Sequence, residues 1–140
     1  MQLRIRAYRL NDEQEVIQLW KRCGLVVPQN DPEKDIARKI AVQPELFLIG
    51  VMADRIVATV MAGYEGHRGW INYLAVAPEF QGQGLARRLM DAVESKLRDL
   101  GCPKINLQVR ETNTAVIEYY ERIGFKIHHD VRLGKKLVKD

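Results

Sequence analysis

The stretch VAPEFQGQGLARRLM, Val76 to Met90, leaves the chain few ways to fold. An apolar run stops at Pro78, the backbone turns through Gly82 and Gly84, and a helix opens with Arg87 and Arg88 near its head. Helix starts favour negative charge, because their unpaired N–H groups and the macrodipole present partial positive charge there. Two arginines at that end are misplaced unless an anion joins them. A strand-to-helix turn of this kind presents several backbone N–H groups together, and glycines keep side chains out of a ligand's way. A phosphate or diphosphate fits such a turn and would make charge partners of the arginines. The same spacing also serves a plain tight turn with both arginines in solvent. Two better-known phosphate motifs are excluded. GxxxxGK[ST] is absent, and the dinucleotide fingerprint GxGxxG fails at its third glycine, which is Arg87 here.

Periodicity places the turn within a larger order. LRIRAYR alternates apolar and basic residues and predicts a first strand ending near Arg9. Asn11 or Asp12 caps a helix whose face carries Val16, Ile17, Leu19, Trp20 and Cys23, with Gly24 as its stop. Asp31 caps a second helix, with Pro32 at its first position and an end near Ala41. ELFLIGVMA, IVATVMAGYEG and WINYLAV then read as an antiparallel meander, because the joins between them are too short for crossovers. Leu85, Leu89, Met90, Val93, Leu97 and Leu100 trace an amphipathic helix ending at Gly101, and KINLQV follows as a strand. Strand, helix and strand from Trp70 to Val109 have the shape of a right-handed crossover. NTAVIEYYERIGF predicts a last helix capped by Asn113 or Thr114 and stopped by Gly124, and FKIHHDVRLGKKLV predicts one or two final strands.

The 140 residues, 46% of them hydrophobic, fit one domain spanning residues 1–140 around one core. The net charge of +4 comes from 22 basic and 18 acidic residues without blocks of like charge, a mild preference for anions with no nucleic-acid footprint. Cys23 and Cys102 stand apart without ligand spacing, so two reduced thiols and no metal site are expected. No window is apolar over the length of a membrane span and the amino terminus lacks a signal-like run, so a cytoplasmic protein with no membrane partner is expected.

Gln81-x-x-Gly84-x-Ala86, after LAVAPEF, resembles the acetyl-coenzyme A motif [Q/R]-x-x-G-x-[G/A] of the GNAT superfamily of N-acetyltransferases. NTAVIEYYERIGF is similar to that superfamily's C-terminal helix motif, and the element order matches along essentially the entire chain. NDPEKDI, GYEGHRG and GCPKI look most like its small bacterial YpeA-type members. The resemblance implies an α/β (α+β) GNAT fold in the order β-α-α-β-β-β-α-β-α-β. Its sheet would be mixed, mostly antiparallel and twisted, with about six to seven strands flanked by about four helices. It implies acetyl-coenzyme A as cosubstrate, without a metal. The amides of Gln81, Gly82, Gln83, Gly84, Leu85 and Ala86 would cradle the pyrophosphate, and Arg87 would add a side-chain contact. The backbone of Leu74, Ala75 and Val76, on a bulged strand splayed from Lys104 to Val109, would pair with the pantetheine arm. Asn113 matches a coenzyme-contacting position, and Tyr120 matches the residue beside the thioester sulfur. Homodimers through the final strands are common among relatives of this size, so a second copy is an implied partner.

The chemistry can be stated from the reaction. An amine attacking a thioester must lose a proton, and a lysine-like ammonium with a pKa of about 10.4 is almost wholly protonated at neutral pH. A base, or a water chain leading to one, is required. A backbone N–H near Val76 could stabilise the charge that develops on the carbonyl oxygen, and the Tyr120 hydroxyl could protonate the departing thiolate. Tyr120 could equally be a core aromatic with a satisfied hydroxyl. Relatives often carry a glutamate where Trp70 or Gln108 stands here, and neither can accept a proton. Glu65, His67 and Glu79 remain as candidates for the base, beside a water chain. VVPQNDPEKD and YEGHRGW would flank the slot for a small-molecule or peptide amine, with Asn30, Asp31 and Glu65 able to attract its charge, although Asp31 also suits ordinary capping. A non-catalytic acyl-coenzyme A sensor and a plain interaction protein are the rival classes.

Overall fold

The computed structural model describes residues 2–139. Strands β1 (Arg4–Ala7), β2 (Phe47–Met52), β3 (Arg55–Tyr64) and β4 (Gly69–Val76) pair antiparallel in succession, and β5 (Ile105–Asn106) joins β4 in parallel. The helices are α1 (Glu13–Arg22), α2 (Pro32–Ile40), α3 (Leu85–Asp99) and α4 (Thr114–Arg122). This is the expected order up to the tail, with α3 as the crossover between parallel neighbours. Contacts divide the chain into two compact units, one through Asn106 and one spanning Leu107–Lys139.

Local chemistry explains the early elements. Asp31 accepts hydrogen bonds from the N–H groups of Glu33 and Lys34 at 3.0 and 3.2 Å, and Pro32 opens α2 where no N–H is needed. Gly24, with φ +71°, follows the end of α1. The β2–β3 hairpin turns on Ala53 and Asp54, both with positive φ, the left-handed pair that a two-residue type I′ connection demands. Beneath the sheet, α3 buries Leu85, Leu89, Met90, Val93 and Leu97. Gly50 permits its close approach, because a Cβ there would lie 3.2 Å from the Leu89 side chain. On the opposite face α1 buries Val16, Ile17, Leu19 and Trp20, and the fully buried Trp20 contributes on the order of 3 kcal/mol.

In the second unit, Asn113 holds the N-cap position of α4 without a side-chain bond, and Gly124 at φ +106° follows its end. Tyr120 is buried there, edge-on to the rings of Tyr119 and Phe125.

Three expectations are corrected. β1 stops at Ala7, and a 3-10 turn over Leu10–Asp12 leads into α1. KINLQV forms strand only at Ile105–Asn106, and no strand forms among the described residues of the tail, so the sheet has five strands rather than six or seven. The tail alternates like a strand, yet Val131, Leu133 and Leu137 are 83%, 90% and 87% exposed. Without a buried face, alternation alone does not hold a ladder.

Candidate active site

The turn before α3 is built around backbone donors. Gly82 and Gly84 have φ of +79° and +80°, and a Cβ at either would meet nothing within 4 Å. They are needed for backbone angle, and the space beside them is open. The N–H groups of Gly82 through Arg87 donate to no acceptor among the described residues. α3 has no acidic residue in its first turn and no side-chain cap. Six free donors at the positive end of a fifteen-residue helix form an anion-binding surface. The side chain of Gln81 reaches back to the carbonyl of Val76 at 3.0 Å, which ties the turn to the end of β4.

The two arginines part company. Arg87 lies exposed with only an i,i+4 approach to Asp91 at 3.4 Å. Arg88, also exposed, donates to the carbonyl of Leu3 at 3.4 Å.

Strand β4 supplies the second component. Its ladder with β5 lasts two residue pairs, Gly69↔Ile105 and Trp70↔Asn106. Beyond Trp70 that edge pairs with no strand among the described residues, so Leu74, Ala75 and Val76 lie along an open edge. On the other side, Met61 opposes Asn72 while Thr59 opposes Ala75. Tyr73 and Leu74 therefore face the single residue Val60, which is a β-bulge.

The bulge brings Tyr73 onto the face that carries α1 and α2. Its φ of +50° is strained for an aromatic residue, at a cost of about 1–3 kcal/mol. Several contacts hold it. The ring stacks on Trp20 at 3.8 Å. Thr59 donates to the Tyr73 carbonyl at 2.9 Å and accepts from the Trp20 indole N–H at 2.9 Å. The Tyr73 hydroxyl donates to Asp35 Oδ2 at 2.6 Å and accepts from Asn30 Nδ2 at 2.5 Å. Burial, reinforced by Asp35, pushes the phenol far above its ordinary value, so Tyr73 is a neutral donor. Among these residues only Asn30 was a sequence-level candidate. The available signal was Thr59, a hydroxyl inside the buried run IVATVMA.

The candidate bases Glu65 and Glu79 have definite partners. Glu65 accepts from the backbone N–H groups of Arg68 at 2.5 Å and His67 at 2.7 Å, closing its own turn, and these bonds hold its carboxyl below the usual range. His67 is exposed, with its ring beside the Arg68 guanidinium. Glu79 is clasped between Arg22 and Arg55, and its own backbone N–H together with these cations keeps its carboxyl low. Asp31 is spent on the α2 cap. In the second unit, burial pushes the Tyr120 phenol up to about 12, so its hydroxyl holds its proton, and Asn113 is exposed.

A groove of about 240 Å³ lies between α2 and the β3–β4 hairpin, lined by Lys39, Gln43, Met61, Gly63, Trp70 and Asn72 among others. Gln43 forms its wall by exchanging two hydrogen bonds with the backbone of Tyr64, at 2.9 and 2.8 Å. Asn72 is the chain neighbour of Tyr73. This is the flank on which the sequence placed an acceptor slot.

Residues 9–125 match the model of the Acetyltransferase (GNAT) family. Acetyltransferase YE1169 of Yersinia enterocolitica is 47% identical over 138 residues, covering 99% of this chain and 98% of its own. Acetyltransferase SG1711 of Sodalis glossinidius is 48% identical over 139 residues, with the same coverage. Among solved structures, the PaiA N-acetyltransferase from Thermoplasma acidophilum in complex with coenzyme A shares the fold, with a TM-score of 0.80, 17% identity and 94% of each chain covered.

Proposed function

Since the chain belongs to the GNAT family of acetyltransferases, we propose that it moves an acetyl group from acetyl-coenzyme A to a primary amine by direct attack in a ternary complex. The observation that carries this reading is the run of six free N–H groups from Gly82 to Arg87. A diphosphate would satisfy those donors at the helix end best able to hold it, with Arg87 adding its charge. The open edge at Leu74, Ala75 and Val76 offers backbone groups to the amide-bearing arm, and Asn113 contributes a coenzyme contact. The amine nitrogen bonds to the thioester carbonyl carbon, the carbon–sulfur bond breaks, and the Tyr120 hydroxyl protonates the thiolate. The acceptor enters by the groove beside Trp70. A second copy of the chain is a further partner in this reading, because the tail exposes Val131, Leu133 and Leu137.

Calorimetric titration with acetyl-coenzyme A, coenzyme A and dephospho-coenzyme A at two salt concentrations tests the cradle. We expect roughly micromolar, salt-sensitive binding that Gly84→Glu removes. Absence of binding at millimolar ligand overturns the reading. Tyr120→Phe should lower kcat by about 10- to 100-fold while leaving coenzyme affinity unchanged. Equal losses in both would take the acid role away from Tyr120.

A further inference from the structure

We propose that Asp35 receives the acceptor's amine and takes its proton, with Tyr73 as the residue that positions it. This rests on the acetyl-transfer reading above and names a base other than Glu65, His67 and Glu79.

The two oxygens of Asp35 have different surroundings. Oδ2 is anchored by the Tyr73 hydroxyl at 2.6 Å. Oδ1 accepts no hydrogen bond among the described residues, its nearest cation being Arg38 on the same helix at 3.9 Å. The side chain is 26% exposed, so the carboxylate is not sealed from solvent. A carboxylate with one oxygen fixed and the other open is an oriented acceptor for an N–H donor. Tyr73 does not compete for the proton, since it is a neutral phenol that donates to Asp35. Asn30 fills the other side of the phenol oxygen at 2.5 Å, which keeps the hydroxyl proton aimed at the carboxylate. The groups around Asp35 are thus Arg38 from α2, Tyr73 from β4, and Asn30 and Asp31 from the loop before α2.

The strained backbone fits this role. Tyr73 reaches the α2 face only because β4 carries the bulge, and it stays there because Trp20 and Thr59 hold it. Strain held by several tethers is a device for fixing a constellation of side chains. Asn72, which lines the groove, is the chain neighbour of Tyr73, whose hydroxyl meets Asp35. The acceptor class is a primary amine, cationic in solution, for which Asp35 is the counter-charge, while Lys39 and Glu65 are the charged residues that line the groove itself.

The bound ammonium first gives one proton to solvent, and the neutral amine nitrogen then forms a bond to the thioester carbonyl carbon and becomes cationic, far more acidic than a free ammonium. This second proton passes to Asp35 Oδ1, the carbon–sulfur bond breaks, and the sulfur leaves as thiolate that takes a proton from solvent. Asp35 then releases its proton to water, leaving an amide and the coenzyme thiol.

Trp20, stacked on Tyr73, is a built-in reporter, and Trp70→Phe leaves it as the only indole of the two in the chain. In that background, n-butylammonium chloride titrated against sodium chloride at equal ionic strength should change Trp20 emission saturably. Asp35→Asn should weaken this binding at least about tenfold. With n-butylamine as acceptor and saturating acetyl-coenzyme A, Asp35→Asn should lower kcat about 100-fold with coenzyme affinity unchanged. Asp35→Glu should restore part of the rate. Tyr73→Phe, which keeps the stack, should show a smaller loss and a displaced pH profile. An Asp35→Asn protein that binds butylammonium and turns over like its parent overturns the proposal, as does a parent that distinguishes butylammonium from sodium in no way. Failure of acetyl-coenzyme A to bind would sink the transfer reading instead, and the ammonium titration would still decide the fate of Asp35.

Discussion

Thr59 is fully buried, and its one hydroxyl serves both Trp20 and Tyr73. Thr59→Val keeps the shape and leaves a buried indole N–H and a carbonyl without partners. Each such orphan costs about 1–3 kcal/mol, so we expect the denaturation midpoint to report a loss of about 2–4 kcal/mol, with Thr59→Ser losing much less. Residues of this kind were only partly legible in the sequence. Asp31, Pro32 and Gly24 could be read directly, because capping is settled within a few residues of chain. Asp35 and Tyr73 could not, because their meeting depends on a bulge, and a bulge is set by the pairing of two strands. The surroundings of Glu65 and Glu79 were legible to different degrees. Glu65 closes a turn with its own neighbours His67 and Arg68, whereas Glu79 meets Arg22 and Arg55 from distant parts of the chain.

At the scale of elements, the type I′ hairpin departs from the residues that suit it. Ala53 and Asp54 occupy left-handed angles that Asn-Gly adopts more readily. Replacing the pair with Asn-Gly should raise stability by about 1 kcal/mol in urea denaturation, at the loss of an ion pair between Arg4 and Asp54 exposed enough to contribute little. A decrease would mean that the hairpin depends on contacts outside its backbone angles. The meander, the crossover and the four helices were legible because hydrophobic periodicity is a local signal that burial then honours. The tail was not, since a strand needs a neighbouring edge as well as an alternating sequence.

For the molecule as a whole, acid tolerance runs through Asp12, which links β1 to the start of α1. Its carboxylate accepts from Arg6 at 2.7 and 3.0 Å and from the Arg9 N–H at 2.8 Å. Burial alone would push the Asp12 carboxyl up, but these donors outweigh it and hold the group below its usual value. A depressed carboxyl adds stability above its unfolded pKa of about 3.9, and that contribution is lost as pH falls through the folded value. Asp12→Asn should therefore cost about 2 kcal/mol at neutral pH, and the gap to the parent should begin to narrow as pH falls below about 4. A gap that persists unchanged at low pH would show that packing, rather than charge, is what Asp12 provides.

The bulge in β4 has a consequence for descent. It sets Asn72 and Tyr73 on the same side of the sheet, so an unbulged strand, whatever its residues, would send one of them to the α3 side. Point substitutions can tune Asp35, Asn30 or Thr59, but they cannot create or erase that placement while the strand keeps its length. A lineage would gain or lose this arrangement by inserting or deleting a single codon.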